Sequence, residues 1–263
     1  MTTINQFWYS LDGSMMLPQF VVDLMNWNKN KVKINLWTYQ KLKNVPSGVN
    51  VKNASEIVSK ERFKQVVLDP KKFEGDRYVI MLFSDYFRGK LFEKINGSWW
   101  VDTDVIILRS MPTKANVISS QPRILKGIRR RKYNTFRSKR IFEADLNMSV
   151  MKLSDKDLIQ TWVKQMDEWY DNQDKKKWKG QKFPHTNFMK MLILDKKLES
   201  YVANPIVFNP LPYWTTEMGA ISFGYKVPEL EDIKRHSITI SFSGSENYKK
   251  KIYGVLEKLN IVI

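Results

Sequence analysis

The chain has 263 residues, enough for one large α/β domain with a sizeable core, and its 43% hydrophobic and 13% aromatic content marks it as globular. It has no cysteine and only two histidines, His185 and His236, which excludes disulfides, thiolate metal sites and a His/Cys zinc centre. The net charge of +17, from 44 Lys and Arg against 27 Asp and Glu, creates a positive field that attracts polyanions: DNA, RNA or an anionic membrane surface. Any metal here would be a hard cation held by oxygen ligands. The opening MTTINQFWYS lacks a cationic start followed by an apolar core, and no window approaches the roughly 18–20 apolar residues of a membrane span. The expectation is a soluble, cytoplasmic protein, in the cytoplasm of the host cell if the protein is viral.

In chain order, Ile4 to Ser10 reads as a strand ending at a polar Asp12-Gly13-Ser14 loop. Gln19 to Asn28 carries apolar residues at helical spacing, and Lys33 to Tyr39 alternates like a strand. This β-α-β opening favours a parallel sheet. Asn44 to Asn53 reads as turn, and Glu56 to Asp76 gives no single pattern. Arg77 to Ile95 predicts a long helix closed by Asn96-Gly97 as a left-handed cap. Ser98 to Leu108, SWWVDTDVIIL, reads as one buried strand interrupted only by Asp102, Thr103 and Asp104. Ala115 to Ser120 and Ile141 to Leu153 predict further strands. Ser154-Asp155 caps a helix to about Gln173, and Thr186 caps another to about Lys196. Short strands follow around Tyr201 to Phe208 and Ser237 to Phe242, then a final helix from Asn247 to Leu259. No repeat or linker divides the chain, so a single domain over 1–263 is the simpler reading.

The chemistry centres on Asp102 and Asp104. Two carboxylates one residue apart at a strand end can share Mg²⁺ or Mn²⁺ and leave positions open for phosphate oxygens. Such a short motif also occurs by chance as a solvated turn. Its setting adds weight, because charges inside an apolar run are costly unless paired or bound to metal. Upstream, Asp85 and Arg88 are spaced i, i+3 and face one way on the helix leading into this strand. Arg88 would suit a donor phosphate or sugar hydroxyl, and Asp85 sugar hydroxyls; as a surface ion pair the two would contribute little.

The stretch SDYFRGKLFEKINGSWWVDTDVIIL resembles the signature of the Asp-x-Asp sugar-binding glycosyltransferases, related to α-mannosyltransferases and the clostridial glucosylating toxins. The matching positions are Ser84, Asp85, Arg88, Gly97, Trp100, Asp102 and Asp104. Asn5-Gln6-Phe7-Trp8 is similar to the family's opening His-Gln-Ile-Trp, Leu36-Trp37-Thr38 to a strand ending in Trp and a polar residue, and Asp145 to Met151 to a stretch whose Asn approaches the donor sugar. The match covers roughly residues 4–152.

The resemblance implies an α/β fold of the GT-A, nucleotide-diphospho-sugar transferase type: a single mixed, mostly parallel sheet flanked by helices. A donor-binding part would span about 1–152 and an acceptor-side part about 153–263. It further implies a nucleotide-diphosphate sugar as donor, with a UDP-sugar favoured, and Mn²⁺ or Mg²⁺. Transfer would proceed with retention of configuration. Trp8 would contact the base, Thr38 would line the donor site, and Asp85 and Arg88 would bind sugar and phosphate. Asp102 and Asp104 would lie at metal and ribose, and Asn147 near the sugar. Two departures stand out: Asn5 replaces the family's His, and ISFSGSENY, Ile240 to Tyr248, lacks the usual C-terminal His and Trp. There the small polar loop of Ser243, Gly244 and Ser245 would let backbone N–H groups approach the diphosphate. In retaining chemistry the departing phosphate itself can take the acceptor proton. Asp145 is the nearest candidate for a carboxylate base, and it reads equally well as a turn residue.

Lys126 to Arg140 contains no acidic residue. Its cations Arg129, Arg130, Arg131, Lys132, Arg137, Lys139 and Arg140 interleave with Tyr133 and Phe136, a pattern suited to phosphates and to stacking on bases. Lys175 to Lys182 adds five lysines around Trp178 and reads better as a charged, solvated stretch. Two acceptors fit. One is DNA bearing a hydroxymethylated base, as in bacteriophage DNA modification. The other is a lipid-linked or envelope glycan at an anionic membrane, docked by the terminal helix. A third reading, from another class, is an inactive nucleic-acid-binding module that keeps the fold.

Overall fold

The computed structural model describes residues 1–67, 76–122, 136–138, 141–171, 186–211, 229–242, 253–254 and 256–262. A parallel unit opens the chain: β1 (Thr3–Phe7), α1 (Gln19–Asn28), β2 (Lys33–Thr38) and β3 (Asn50–Asn53). The turn-rich reading of 44–53 misses β3, whose pattern is polar because it closes the sheet edge with three of its four residues exposed. Then come α2 (Lys60–Val67) and the long α3 (Asp76–Lys94), followed by β4 (Trp99–Val101) and β5 (Val105–Ile107). β6 (Val117–Pro122), β7 (Phe136–Ser138) and β8 (Ile141–Lys152) precede α4 (Lys156–Asp171) and α5 (Thr186–Asp195). The tail holds α6 (Pro205–Phe208), α7 (Leu230–His236) and β9 (Thr239–Ser241).

The main sheet has seven strands in the order β3-β2-β1-β4-β8-β6, with β7 also on β8. Parallel pairing joins β3, β2, β1 and β4, and the antiparallel partners of β8 restore the common direction in β6 and β7. Only β8 therefore runs against the rest, and the expected mixed, mostly parallel α/β sheet is observed. A second, two-stranded antiparallel sheet pairs β5 with β9.

Both faces are covered, and four of the five residues of β1 and four of the six of β2 are buried. On one face Phe63, Phe83, Phe87, Trp100 and Trp162 join α2, α3 and α4 to the sheet. On the other, Ile4, Val21, Met25 and Ile34 pack α1 against it. A third cluster, with Leu24, Ile106, Ile240 and Phe242, sits on the small sheet. Gly89 lets α3 and α4 approach: a Cβ there would meet Met166 Cε at 2.4 Å and Val163 Cγ2 at 3.2 Å. Gly97 takes φ +71° after α3, the expected left-handed cap.

Two expected elements differ. The run Ser98 to Leu108 is two strands in two sheets, broken at Asp102–Asp104, where Val105 N donates to Asp102 O at 3.2 Å. The strand expected over Tyr201 to Phe208 is a short 3₁₀ turn (Glu199–Tyr201) and α6. Asn204 accepts from Ile206 N there and Pro205 supplies the first turn, a capping pattern that overrides the apolar run. The first strand also ends at Phe7 rather than Ser10.

Candidate functional site

The carboxyl ends of parallel strands in an open α/β sheet form a crevice because the connections leave in different directions there. Trp8 follows β1, Thr38 ends β2 and Asp102 follows β4, so three sequence-predicted residues share that edge. Its rim is laced. Ser10 N donates to Gln40 Oε1 at 2.7 Å, and Gln40 Nε2 returns a bond to Ser10 O. Leu17 and Asn44 exchange a similar pair of bonds. Thr38 is buried, and its hydroxyl accepts from Gln40 N at 3.1 Å, closing the turn after β2.

At the centre, α3 presents Arg88, which is 3% exposed. Its Nη2 lies 3.0 Å from Asp102 Oδ1 and 3.3 Å from Asp85 Oδ1, so the expected i, i+3 pair forms and is extended to Asp102. Nη1 donates to Met148 O at 2.6 Å, and the guanidinium stands 4.8 Å over the Trp100 ring. Trp100 Nε1 also donates to Asp102 Oδ1, at 2.6 Å. Asp102 N donates to Ser149 O, and Gln6 Nε2 donates to Asp102 O at 3.2 Å. Arg88 is thus an organiser with its donors turned onto protein acceptors, and Asp102 is fixed from β1, α3, β4 and β8 at once.

A bulge in β8 makes this possible. Between the pairs Ile118–Met151 and Ser120–Leu146, β6 has one residue and β8 has four, Asn147 to Val150. This mismatch frees the Met148 carbonyl for Arg88, while Ser149 O bonds Asp102 N just beyond the Val101–Val150 pair of the β4–β8 ladder. Ser119 bridges the bulge by donating to Asn147 O and accepting from Val150 N. The Asn147 side chain is itself held by Gln121 and Ser149 N.

Asp102 keeps 31% side-chain exposure, so it is not sealed in the core as a continuous strand would require. Burial nonetheless pushes its pKa up to about 7; Arg88 pulls it down, the Asp104 charge adds to the rise, the Trp100 hydrogen bond lowers it, and Asp85 raises it. One guanidinium is paired with two carboxylates, Asp85 and Asp102, and the Asp104 charge acts on Asp102 as well, a surplus of negative charge that a divalent cation would balance. Among the described residues no group of three or more His, Asp or Glu side chains is placed to hold a metal. The donors are Asp104 and the Asp102 carboxylate, whose protein hydrogen bonds all fall on Oδ1. Two carboxylates fit a hard cation that completes its sphere with water and diphosphate oxygens.

Asp104 is also tied to the C-terminal part. Phe242 N donates to Asp104 O at 2.7 Å, continuing the β5–β9 pairing. Ser243 and Ser245 follow at once in sequence but lie outside the described residues, as do Arg129, Arg130, Arg131, Lys132, Tyr133, Lys139 and Arg140. The backbone at Phe136 and Arg137 is in β7, and that at Asp145 pairs with Gln121 in β8; their side chains are outside the description.

Four buried polar atoms at this edge have no hydrogen-bond partner: Gln6 Oε1, Trp8 Nε1, Arg88 Nε and Ser149 Oγ. Gln6 and Ser149 both bond Asp102, although the sequence reading gave neither a role; the available signal was the Gln between Asn5 and Phe7 in the first strand. Asn5, at the family's His position, points its role elsewhere. It closes an in-register ladder in which Asn50 donates to Asn35, Asn35 to Asn5, and Asn5 to Trp99 O. A groove of about 510 Å³ opens beside that ladder at the opposite, amino-terminal edge, between Thr3, Asn35, Ser98 and Lys152, and none of the predicted site residues lines it.

No protein-family model matches the sequence, and no curated protein sequence matches it. Among solved structures, the chain is similar to the PaToxG glycosyltransferase, at 10% identity and a TM-score of 0.41 over 76% of this chain and 70% of that one. It is also similar to mouse xyloside xylosyltransferase 1 in its apo form, at 11% identity and a TM-score of 0.48 over 92% and 97%.

Proposed function

We propose that the chain is a metal-dependent retaining glycosyltransferase of the GT-A type that moves a sugar from a nucleotide diphosphate, UDP favoured, to a hydroxyl acceptor. The observation that carries this reading is the constellation at the β4–β5 break: Asp85, Arg88, Trp100 and Asp102 locked together, Asp104 beside them, and unpartnered polar atoms around them. Asp102 and Asp104 would hold Mn²⁺ or Mg²⁺, which when bound supplies a positive charge opposite the leaving diphosphate. Arg88 fixes both Asp85 and Asp102, so the carboxylates meet the donor in one geometry without reorganising. Trp8 and Thr38 flank the base end, and Asn147 and Asp145 lie along β8 on the sugar side. Ser243 and Ser245 follow in sequence after Phe242, whose N–H bonds Asp104, and would serve the diphosphate. No step requires a protein base if the departing phosphate takes the acceptor proton, with Asp145 the candidate should one be needed.

The acceptor we favour is DNA carrying a hydroxymethylated base, as in bacteriophage DNA modification. Sheet topology supports it. Val101 is level with Val150, so the nine residues of β8 before Val150 overhang the Asp102 edge by roughly 20–30 Å. β6 ends on the same side at Pro122. Residues 123–140, with nine Lys and Arg and no Asp or Glu, join β6 to β8 there. More than half of the +17 net charge is thus rooted beside the donor site. On the terminal helix of the membrane-glycan alternative, Leu256 is 1% exposed and packs with Leu259 in the third core cluster, while Tyr253 is 37% exposed. No helix among the described residues is long and apolar enough to cross a membrane.

The test is incubation with Mn²⁺, a panel of nucleotide sugars, and duplex DNA with or without 5-hydroxymethylated pyrimidines, read by mass spectrometry. A hexose or pentose mass gained only on the modified DNA establishes donor and acceptor. Metal-dependent donor hydrolysis without DNA modification keeps the enzyme reading and moves the acceptor to glycans. DNA binding that survives Asp102→Asn and Asp104→Asn, without donor turnover by the parent protein, makes it the inactive binding module.

A further inference from the structure

We propose that Gln6 is a positioning residue for the Asp102–Asp104 turn and, through it, for the cation and diphosphate; this rests on the donor-site reading above. β1 is paired on both sides, with β2 and with β4, so Gln6 sits mid-sheet at 0% exposure. A long amide at such a position is costly unless both its ends are bonded. One end is bonded: Nε2 donates to Asp102 O. The other is not, because Oε1 is buried without a partner. Unpaired buried amide oxygens are rare and call for a cause. Stability supplies none, since an apolar side chain of the same shape would pack there with no unmet acceptor.

What Gln6 does supply is orientation. Holding the Asp102 carbonyl fixes the plane of the Asp102–Thr103 peptide, because that unit is rigid. The plane sets the direction in which Thr103 and Asp104 leave β4. The remaining grips on Asp102 act at its amide, through Ser149, and at its carboxylate, through Arg88 and Trp100. At the carbonyl the other bond comes from Val105 N, which belongs to the turn itself and moves with it. Gln6 is therefore the external anchor at the Asp102 end of the segment that carries Asp104, as Phe242 N is at its Asp104 end. Its free Oε1 is an acceptor for an O–H or N–H donor that arrives with the ligand, a water of the hydrated cation or the nucleotide.

The test compares the parent protein with Gln6→Met, which keeps the shape and removes the amide. Mn²⁺ binding in the presence of UDP is followed by the electron paramagnetic resonance of free Mn²⁺, and stability by thermal unfolding in EDTA. Loss of such an outer anchor is expected to weaken Mn²⁺ binding about 10–100-fold, with the unfolding temperature unchanged or higher. Equal Mn²⁺ affinity overturns the proposal, and so does an unfolding temperature that drops along with affinity, the mark of a merely structural residue. If the parent protein binds no Mn²⁺ with UDP, the donor-site reading itself falls, and this proposal with it.

Discussion

Two arginines on neighbouring helices look alike in composition and differ in what they accomplish. Arg62 of α2 lies 2.7 Å from Asp171 and 3.9 Å from Asp167, with its guanidinium 5.9 Å from the rings of both Tyr86 and Tyr170. Asp167 also accepts from Tyr86 Oη and from Lys90, each at 2.7 Å. Burial works to lower the Arg62 pKa, but hydrogen bonding to Tyr86 and Asp171 outweighs it and raises the value. Here two cations, Arg62 and Lys90, meet Asp167, Asp171 and Glu93, and the cluster is a partly exposed clasp between α2, α3 and α4. Arg88 is more deeply buried, pairs with Asp85 and Asp102, and leaves its Nε unpartnered. The partly exposed cluster holds helices together, whereas the buried one is kept in place by a bulge and a buried amide and is the site the proposed donor would use.

The sharpest way to break that contrast is to remove each arginine. Arg88→Leu leaves two facing carboxylates without their counter-charge and should cost about 3–5 kcal/mol, read by urea unfolding, and abolish donor turnover. Arg62→Leu, at a partly exposed pair, should cost about 1 kcal/mol or less and leave donor turnover in place. Equal losses in both assays would erase the distinction. Next in size, Asp102→Asn should lower metal-dependent donor turnover at least about a hundredfold. The unfolding temperature without metal should hold or rise, because burial disfavours the charge that is removed.

Gly89 lies where the two clusters share α3, and Gly89→Ala tests how much that packing matters. Overpacking against Met166 and Val163 costs about 1–3 kcal/mol, offset by about 1 kcal/mol of helix propensity. Calorimetry should show a small net destabilisation that is similar with and without Mn²⁺. The smallest effect is that of pH. The pKa of Asp102 is raised in the fold, so its ionisation opposes folding. Metal-free stability should therefore gain as pH falls through about 7 toward the ordinary carboxylate range, while Mn²⁺ affinity should gain as pH rises through about 7. Asp102→Asn should flatten both trends, and a persistent slope in the variant would assign them to another group.

The part of this molecule legible in its sequence is the part made by neighbours in the chain. The α1 spacing predicts Gln19–Asn28 as observed, and α3 with its Gly97 cap lies within a residue of expectation. Asp85, Arg88 and Asp102 come together because a helix and the strand after it bring them there. The break at Asp102–Asp104 was hidden because its causes are distant. β5 leaves the main sheet to pair with β9, and Asn28 seals its other edge, donating to Val105 O and accepting from Ile107 N, both at 2.8 Å. Nothing in WWVDTDVIIL announces either partner. The β8 bulge was equally invisible, since Asn147 to Val150 reads as plain strand until Ser119 is placed beside it.

The bond from Phe242 to Asp104 also sets a clock. The residue that completes the Asp104 turn is synthesised roughly 140 positions after it, which at typical elongation rates is about 7–30 s later. Through that interval the nascent chain already holds the first carboxylate of the pair, the Arg88 lock and its basic excursion, but not the strand that fixes the second. The turn that carries Asp104 is thus completed only when the C-terminal strand has been made.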